Sequence, residues 1–181
     1  QAGTTADPVT QNDPTPWVPQ QISTLSVTKT VVGVAGNKVV YTLSVANGTG
    51  IAQTYTLTDS PSFPASVSYT SVSCTSAVST KPASPANSTN CVPPTTLSGS
   101  PLVVAAAGSS IADDTTHIYT IEIPLSFTST APTAVQSNQC NTSTPTAGNG
   151  LYNSTTLTQA GSPVITKTAT GCADVPSKLK V

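Results

Sequence analysis

The stretch LSVTKTVVGVAGNKVVYTLSVAN, residues 25–47, determines the fold class. Apolar side chains alternate with polar ones on both sides of Gly36-Asn37, a dipeptide that favours a tight hairpin turn. Many of the apolar residues are β-branched, which suits extended strands. The stretch therefore predicts two antiparallel strands, each with one buried face, joined by a turn at Gly36-Asn37.

Similar period-two segments follow at intervals of about ten residues, separated by turn-forming residues. In chain order they are AQTYTLTDS, SVSYTSVSC with an irregularity near Ser71, LSGSPLVVA with a turn at AAGSS, HIYTIEIPLSF, and the pair GLYNSTTLTQA and SPVITKTAT joined through Gly161. No segment has helical spacing over as much as three turns. We therefore predict an all-β fold, an antiparallel β-sandwich of about eight or nine strands over residues 24–171.

The residues on either side of this predicted sandwich differ in character. Residues 1–23 carry four Pro and almost no apolar periodicity, which predicts an extended N-terminal arm, and residues 172–181 form a short tail. Trp17 lies between Pro16 and Pro19, and we interpret it as an anchor into a groove. The residues that we assign to an assembly arm are Trp17, Val18, Ile22, Leu25 and Val27.

Composition limits the classes of function. Of 181 residues, 33 are Thr and 24 are Ser, while six Lys and no Arg give a net charge of -1. So few basic residues argue against nucleic-acid binding. His117 alone provides no cluster for a metal, so we expect no enzymatic activity, no cofactor and no metal site; an enzyme using His117 is a distant alternative. We expect His117 to be partly exposed at a strand edge. No apolar run reaches the roughly 18 to 20 residues of a membrane span.

Four cysteines allow three disulfide pairings, and we favour Cys74 with Cys91 and Cys140 with Cys172. The first would close a loop rich in Ser, Thr and Pro, a constraint worth about 3 kcal/mol. A zinc site is the alternative, but the expected close spacing between soft ligands is missing. The cysteines therefore predict an oxidising, extracytoplasmic compartment.

Two further features fit export. The sequence begins at Gln1, so we expect an export signal that is absent from the mature chain. Possible N-glycosylation sites, each followed by Ser or Thr at the second position, are Asn47, Asn87, Asn141 and Asn153. Unmodified turn residues are the simpler interpretation of each.

The order of these segments is itself informative. SVTKTVVG, VVYTLSVANGTGIAQTYTLTDSPSFPASVSYTSVSC, HIYTIEIPLSF and NQCNTSTPTAGNGLYNSTTLT together resemble the conserved-repeat, Ig-like domains of large bacterial and archaeal cell-surface proteins. The resemblance covers residues 24–170 and implies an Ig-like sandwich that acts as a structural module without catalytic residues. This chain departs from the pattern in having one copy, preceded by a long arm.

The resemblance also suggests a covalent link. Some surface sandwiches of related design form a spontaneous amide bond between a Lys of the first strand and an Asn of the last, promoted by a buried Asp or Glu. Lys29, Asn153 and either Asp59 or Glu122 are candidates for these roles, because a buried Lys can become a neutral nucleophile. A surface Lys and an Asn beside a turn are the simpler alternative.

These observations predict a secreted, non-enzymatic subunit of a cell-surface filament or pilus. We expect its partner to be a second copy of itself, joined head to tail when a terminal strand of one subunit completes the sheet of the next. A host or neighbouring-cell surface is a further possible partner. The alternative function is an adhesin module that binds a ligand through its loops.

Overall fold

The computed structural model describes residues 23–79, 91, 95–128, 137–141 and 143–176. Trp17, Val18, Ile22 and Asn87 lie outside these residues. The described chain contains strands and no helix. The strands are β1 (Ser26–Ala35), β2 (Lys38–Asn47), β3 (Gln53–Ser62), β4 (Val67–Ser68), β5 (Ser73–Ser79), β6 (Thr95–Thr96), β7 (Leu102–Ile111), β8 (Thr115–Pro124), β9 (Ser126–Phe127), β10 (Tyr152–Gln159) and β11 (Ile165–Gly171).

Two antiparallel sheets make up the sandwich, in the orders β1-β2-β8-β5-β6 and β11-β10-β3-β7, and β4 pairs separately with β9. The prediction of an all-β sandwich is confirmed. The eleven strands exceed the predicted number because β4, β6 and β9 have only two residues each. The segment SVSYTSVSC contributes to two strands. Val67–Ser68 forms β4, which pairs with β9, whereas the last two residues of the segment begin β5, which pairs with β8.

The hairpin at the start of the sandwich has the predicted turn. Ala35 pairs with Lys38 across it, and Gly36 and Asn37 both have positive φ angles, of 55° and 56°. A two-residue turn of this kind needs left-handed backbone at both central positions, which Gly and Asn tolerate best. The turn therefore follows directly from the two residues that occupy it.

The core lies between the two sheets and follows the strand alternation. Inward positions of β2 and β8 are fully buried and outward ones are partly exposed. The buried aliphatic and aromatic residues of these two strands are Val39, Tyr41, Leu43, Val45, Tyr119, Ile121 and Ile123. Because strand side chains alternate between faces, the outward positions include Thr42, Ser44, Thr116 and Thr120, whose hydroxyl groups can be hydrated.

The predicted turn at AAGSS is wrong. β7 runs without a break from Leu102 to Ile111, and Gly108 takes a φ of 82° inside it. The pairing of β7 with β3 shifts register beside Tyr55 and Leu57. Glycine permits positive φ within a strand, so the extra residues form bulges rather than a turn.

Two residues assigned to the assembly arm belong to the sandwich instead. Leu25 is fully buried in the core and its backbone N–H donates to Gln159 Oε1 at 2.8 Å. Val27 lies in β1 and pairs with Val45 of the same chain. Leu25 is therefore buried within its own subunit, and Val27 is partly buried against the same core.

The sandwich also extends past its predicted limit at residue 171. Ala173 and Val175 pack against the core, and the carbonyl of Ala173 accepts a hydrogen bond from Leu151 N at 2.7 Å. The first part of the predicted tail is thus attached to its own domain. No helix in the described ranges has the length and apolar character needed to cross a membrane.

Candidate cross-linking site

Three strands place a lysine, an aspartate and an asparagine together in the core. Lys29 comes from β1 in one sheet, whereas Asp59 from β3 and Asn153 from β10 come from the other. Asp59 continues the inward face of Tyr55 and Leu57, so the alternation of β3 directs it into the core. The side chains of Lys29 and Asp59 have no exposed surface, and Asn153 is fully buried as well.

The carboxylate of Asp59 bridges the other two groups. Lys29 Nζ donates a short hydrogen bond to Asp59 Oδ1, and the two groups form an ion pair. Asn153 Nδ2 donates to Asp59 Oδ2 at 2.8 Å. The structure thus brings together the amine, the acid and the carboxamide that the sequence singled out as candidates.

Two more residues hold the lysine amine in place. Thr155 Oγ1 accepts from Lys29 Nζ at 2.9 Å and donates to Asp59 Oδ1 at 2.6 Å. The ring of Tyr41 lies 4.9 Å from Nζ, within the range of a cation–π interaction, and the Tyr41 hydroxyl donates to the carbonyl of Leu151 at 2.6 Å. The amine is therefore fixed by three neighbours rather than free to rotate.

One atom of the site lacks a partner. Among the buried side-chain oxygen and nitrogen atoms of the described residues, Asn153 Oδ1 is the one that makes no hydrogen bond. Leaving a buried acceptor unpaired costs about 1 to 3 kcal/mol, so native cores rarely contain one. This orphaned oxygen belongs to the carboxamide that faces the Lys29 and Asp59 pair.

Burial makes the charged form of the Lys29 amine less favourable than it is at a protein surface. Burial lowers the pKa of Lys29 from 10.5 to about 8, although the charge and hydrogen bond of Asp59 act in the opposite direction. Desolvation penalises the charged ammonium more than Asp59 compensates it. A lysine with this pKa reaches its nucleophilic, unprotonated form far more easily than a surface lysine does.

The alternative acid, Glu122, lies elsewhere. It occupies an outward position of β8 and forms an ion pair with Lys38 at 2.8 Å. The side chains of Lys38 and Glu122 are 43% and 41% exposed. The strand alternation of β8 therefore directs Glu122 to solvent and leaves Asp59 as the acid of the site.

Sequence reasoning missed three residues of this site. Thr155 follows Asn153 by two positions in a strand, and the period of two was the signal that places it on the same face. Tyr41 lies at an apolar position of the second predicted strand, a pattern that indicates a core residue and no role in the site. Gly171 pairs with Asn153, and a Cβ added to it would lie 3.2 Å from Tyr41 Cδ1 and 3.5 Å from Lys29 Cγ. The absence of a side chain at Gly171 leaves room for both neighbours.

His117 is not the partly exposed edge residue that we expected. It lies on β8, a central strand, and is fully buried. Its Nδ1 is 2.6 Å from the hydroxyl of Tyr55, which is in turn 2.5 Å from the hydroxyl of Tyr119. Burial lowers the pKa of His117, which favours the neutral imidazole. His117, Tyr55 and Tyr119 therefore form a hydrogen-bonded cluster inside the core, which suits a structural role for His117.

Both favoured disulfides are present. Cys74 is bonded to Cys91 and Cys140 is bonded to Cys172, and the described residues contain no free cysteine. Two disulfides fit a secreted or extracellular protein, because thiols in the cytosol are usually kept reduced.

Two of the possible glycosylation sites are corrected by the structure. Asn47 is buried, and its Nδ2 donates to the carbonyls of Ile51, Ile111 and Ala112. Asn153 is buried in the cross-linking site. A glycan has no room at either side chain, whereas Asn141 is exposed.

The chain matches no family model and no curated protein. A solved structure with a similar arrangement is a family 123 glycoside hydrolase from Clostridium perfringens, described for glycolipid glycan hydrolysis. The identity is 9%, the TM-score is 0.32, and the alignment covers 83% of this chain but 27% of that one. A likeness this weak carries no argument about activity, and the resemblance to conserved-repeat surface domains stays a prediction.

Proposed function

We propose that this chain is a non-enzymatic structural module of a cell-surface protein, and that an amide bond between Lys29 and Asn153 locks its sandwich. The observation that supports this proposal most strongly is the buried contact of both residues with Asp59, beside an Asn153 oxygen that has no partner. A catalytic set aimed at an outside substrate would need access to solvent, whereas these groups face only one another.

The reaction follows from the contacts. A proton passes from Lys29 Nζ to Asp59, and the neutral amine attacks Cγ of Asn153. As the new C–N bond forms, the bond between Cγ and Nδ2 breaks. Asp59 lies 2.8 Å from the leaving Nδ2 and is placed to return a proton to it, so that nitrogen departs as ammonia.

The atoms and charges balance without an oxidant or any other reactant. Before the reaction, the ammonium and the carboxamide carry five nitrogen-bound hydrogens between them. Afterwards, three leave with ammonia, one stays on the new amide and one ends on Asp59. The protonated Asp59 is then a donor, and the carbonyl oxygen that came from Asn153 Oδ1 is the acceptor available to it.

The test is the intact mass of the reduced chain. Loss of one ammonia lowers the mass by about 17 Da relative to the sequence. We expect this loss in the wild type and in Lys38→Met, the matched control at the surface ion pair, but not in Lys29→Met or Asn153→Ala. Cyclisation of an N-terminal Gln1 also releases ammonia, so the loss at the site is counted as the difference from Lys29→Met. A wild-type mass equal to that of the sequence would contradict the proposal.

We further propose that the module assembles into filaments by adding residues 1–22 of one copy to an open sheet edge of another. The supporting observation is that β1 and β7 end their sheets, and no described strand pairs with their outer edges. Proline lacks a backbone donor, so the four prolines of this segment suit an edge position rather than a central one.

Negative-stain microscopy separates this assembly from the adhesin alternative. Regular fibres are expected for the wild type, and folded monomers without fibres for a chain lacking residues 1–22. Fibres that persist after the deletion, or a wild type without fibres, would contradict assembly through this segment; the second outcome favours the ligand-binding adhesin.

A further inference from the structure

The described chain enters and leaves the sandwich at opposite ends of one strand. Near the entry, Leu25 N bonds to the side chain of Gln159, at the end of β10. Near the exit, the carbonyl of Ala173 bonds to Leu151 N, just before β10 begins. With a rise of about 3.3 Å per residue, these two points, eight residues apart, are about 26 Å apart along the strand.

Two covalent links connect the chain near the entry to the chain near the exit. The proposed bond joins Lys29, six residues after the entry, to Asn153 at the start of β10. The disulfide between Cys140 and Cys172 joins the residue that follows β11 to a segment that precedes β10. Together they provide a covalent route from the entry to the exit that bypasses most of the sandwich.

We infer that the module transmits tension between the chain before β1 and the chain after β11 while its sandwich stays folded. This inference rests on the proposed Lys29–Asn153 bond. Tension applied at residue 23 reaches Lys29, crosses to Asn153, follows the chain back to Cys140 and leaves through the disulfide to Cys172. Strands β2 to β9 lie inside the loop that the amide closes, and the disulfide bypasses β10 beyond Asn153 and all of β11.

The number of residues that carry the tension shows how far the two links limit the extension of the chain. With both links, about 23 residues separate positions 23 and 176, which is about 80 Å when fully extended. Without either link the separation is about 153 residues, or about 520 Å. When both links are present, the described strand residues that carry the force are the part of β1 before Lys29 and the first two residues of β10, Tyr152 and Asn153.

Single-molecule stretching of the full chain, held at its two ends, tests this inference. For the oxidised wild type we expect no unfolding step longer than about 50 Å. For oxidised Lys29→Met, in which only the disulfides remain, we expect a step of about 300 Å. Lys38→Met should behave as the wild type, and circular dichroism checks that each variant is folded.

Replacing both Cys140 and Cys172 by Ser isolates the second link. Because the rest of β10 and all of β11 then enter the route, the cross-linked chain should lengthen by about 20 Å more than the wild type. The mass of each sample, measured beforehand, distinguishes failure of this inference from failure of the proposed function. A wild type that has lost ammonia yet extends by about 300 Å would overturn the inference alone, whereas a wild type that has kept its ammonia would overturn the proposed function.

Discussion

Lys29 is the residue on which the proposed chemistry depends, because its amine must lose a proton before it can attack. The proton does not have to leave the site, since Asp59 accepts it directly. The reactive state of the pair therefore contains one shared proton, held by either group. Losing that proton to solvent leaves Asp59 as a carboxylate that has nothing to donate to the departing nitrogen.

This shared proton predicts how cross-linking depends on pH. Burial lowers the pKa of Lys29 to about 8. Between about pH 6 and 8 the pair keeps its proton, so the rate of ammonia loss should be nearly constant, and above about pH 8 it should fall. The measurement is a time course of intact mass after cell-free synthesis at several pH values. A rate that keeps rising above pH 8 would show that the free amine alone is sufficient.

Thr155 should accelerate the reaction because its hydroxyl contacts both Lys29 Nζ and Asp59 Oδ1. Replacing it by Val removes both hydrogen bonds at similar volume, while Ser retains them. We expect Thr155→Val to slow ammonia loss about tenfold, equivalent to about 1.4 kcal/mol, and Thr155→Ser to remain close to the wild type.

The same mass time course measures both Thr155 variants. Circular dichroism confirms that they fold. Equal rates of ammonia loss in Thr155→Val and Thr155→Ser would show that the Thr155 hydroxyl has no part in positioning the Lys29 amine.

The sequence predicted these residues only in part. Lys29 and Asn153 were candidates because of the resemblance to surface sandwiches, but two acids were possible for the third role. Asp59 and Glu122 have the same charge, and only the sheet arrangement places one in the core and the other beside Lys38. Tyr41 and Gly171 depend on contacts between β1, β2 and β11, which alternation within a single strand does not specify.

At the scale of strands, local pattern predicted elements well wherever turn residues and alternation agreed. The hairpin at Gly36-Asn37 and the pair joined through Gly161 are examples. The pattern failed where pairing between distant strands decides the geometry. β7 absorbs its irregular residues as bulges against β3, and the segment that ends in β5 changes partner from β9 to β8.

The disulfide between Cys74 and Cys91 should stabilise β5 by closing a loop with a sequence separation of 17. Replacing both cysteines by Ala should lower the free energy of unfolding by about 3 kcal/mol, mainly because the unfolded chain gains freedom. Urea unfolding in the Lys29→Met background measures this difference without the amide bond.

Ammonia loss should continue in a chain that carries only the Cys74 and Cys91 replacements, because Lys29, Asp59 and Asn153 come from β1, β3 and β10. If this chain no longer lost ammonia, the site would depend on β5.

For the whole molecule, the fold class followed from composition and period, because a chain rich in Thr and Val with turn residues about every ten positions can bury only one face of each strand. Assembly was less predictable. The core of the described sandwich is closed without a strand from another copy, with residues such as Leu25 and Tyr41 fully buried. Sequence alternation could not show this, because it does not say whether the facing strand comes from the same chain.

A closed amide bond should raise the stability of the entire molecule. It would enclose about 124 residues, and the chain-entropy relation used for disulfides gives about 5 kcal/mol for a loop of that length. We therefore expect Lys29→Met to unfold at a markedly lower temperature than the wild type, and Lys38→Met to unfold within about 0.5 kcal/mol of it. Thermal unfolding followed by circular dichroism provides the comparison, and similar midpoints for Lys29→Met and the wild type would contradict the lock.

The most direct measurement is a digest of the reduced wild-type chain with a protease that cleaves after lysine. If the amide bond exists, Lys29 resists cleavage, and the peptide 1–38 is recovered covalently joined to the peptide 82–167, with tandem mass spectra that place the branch between Lys29 and Asn153. Separate peptides 1–29, 30–38 and 82–167 would contradict the account.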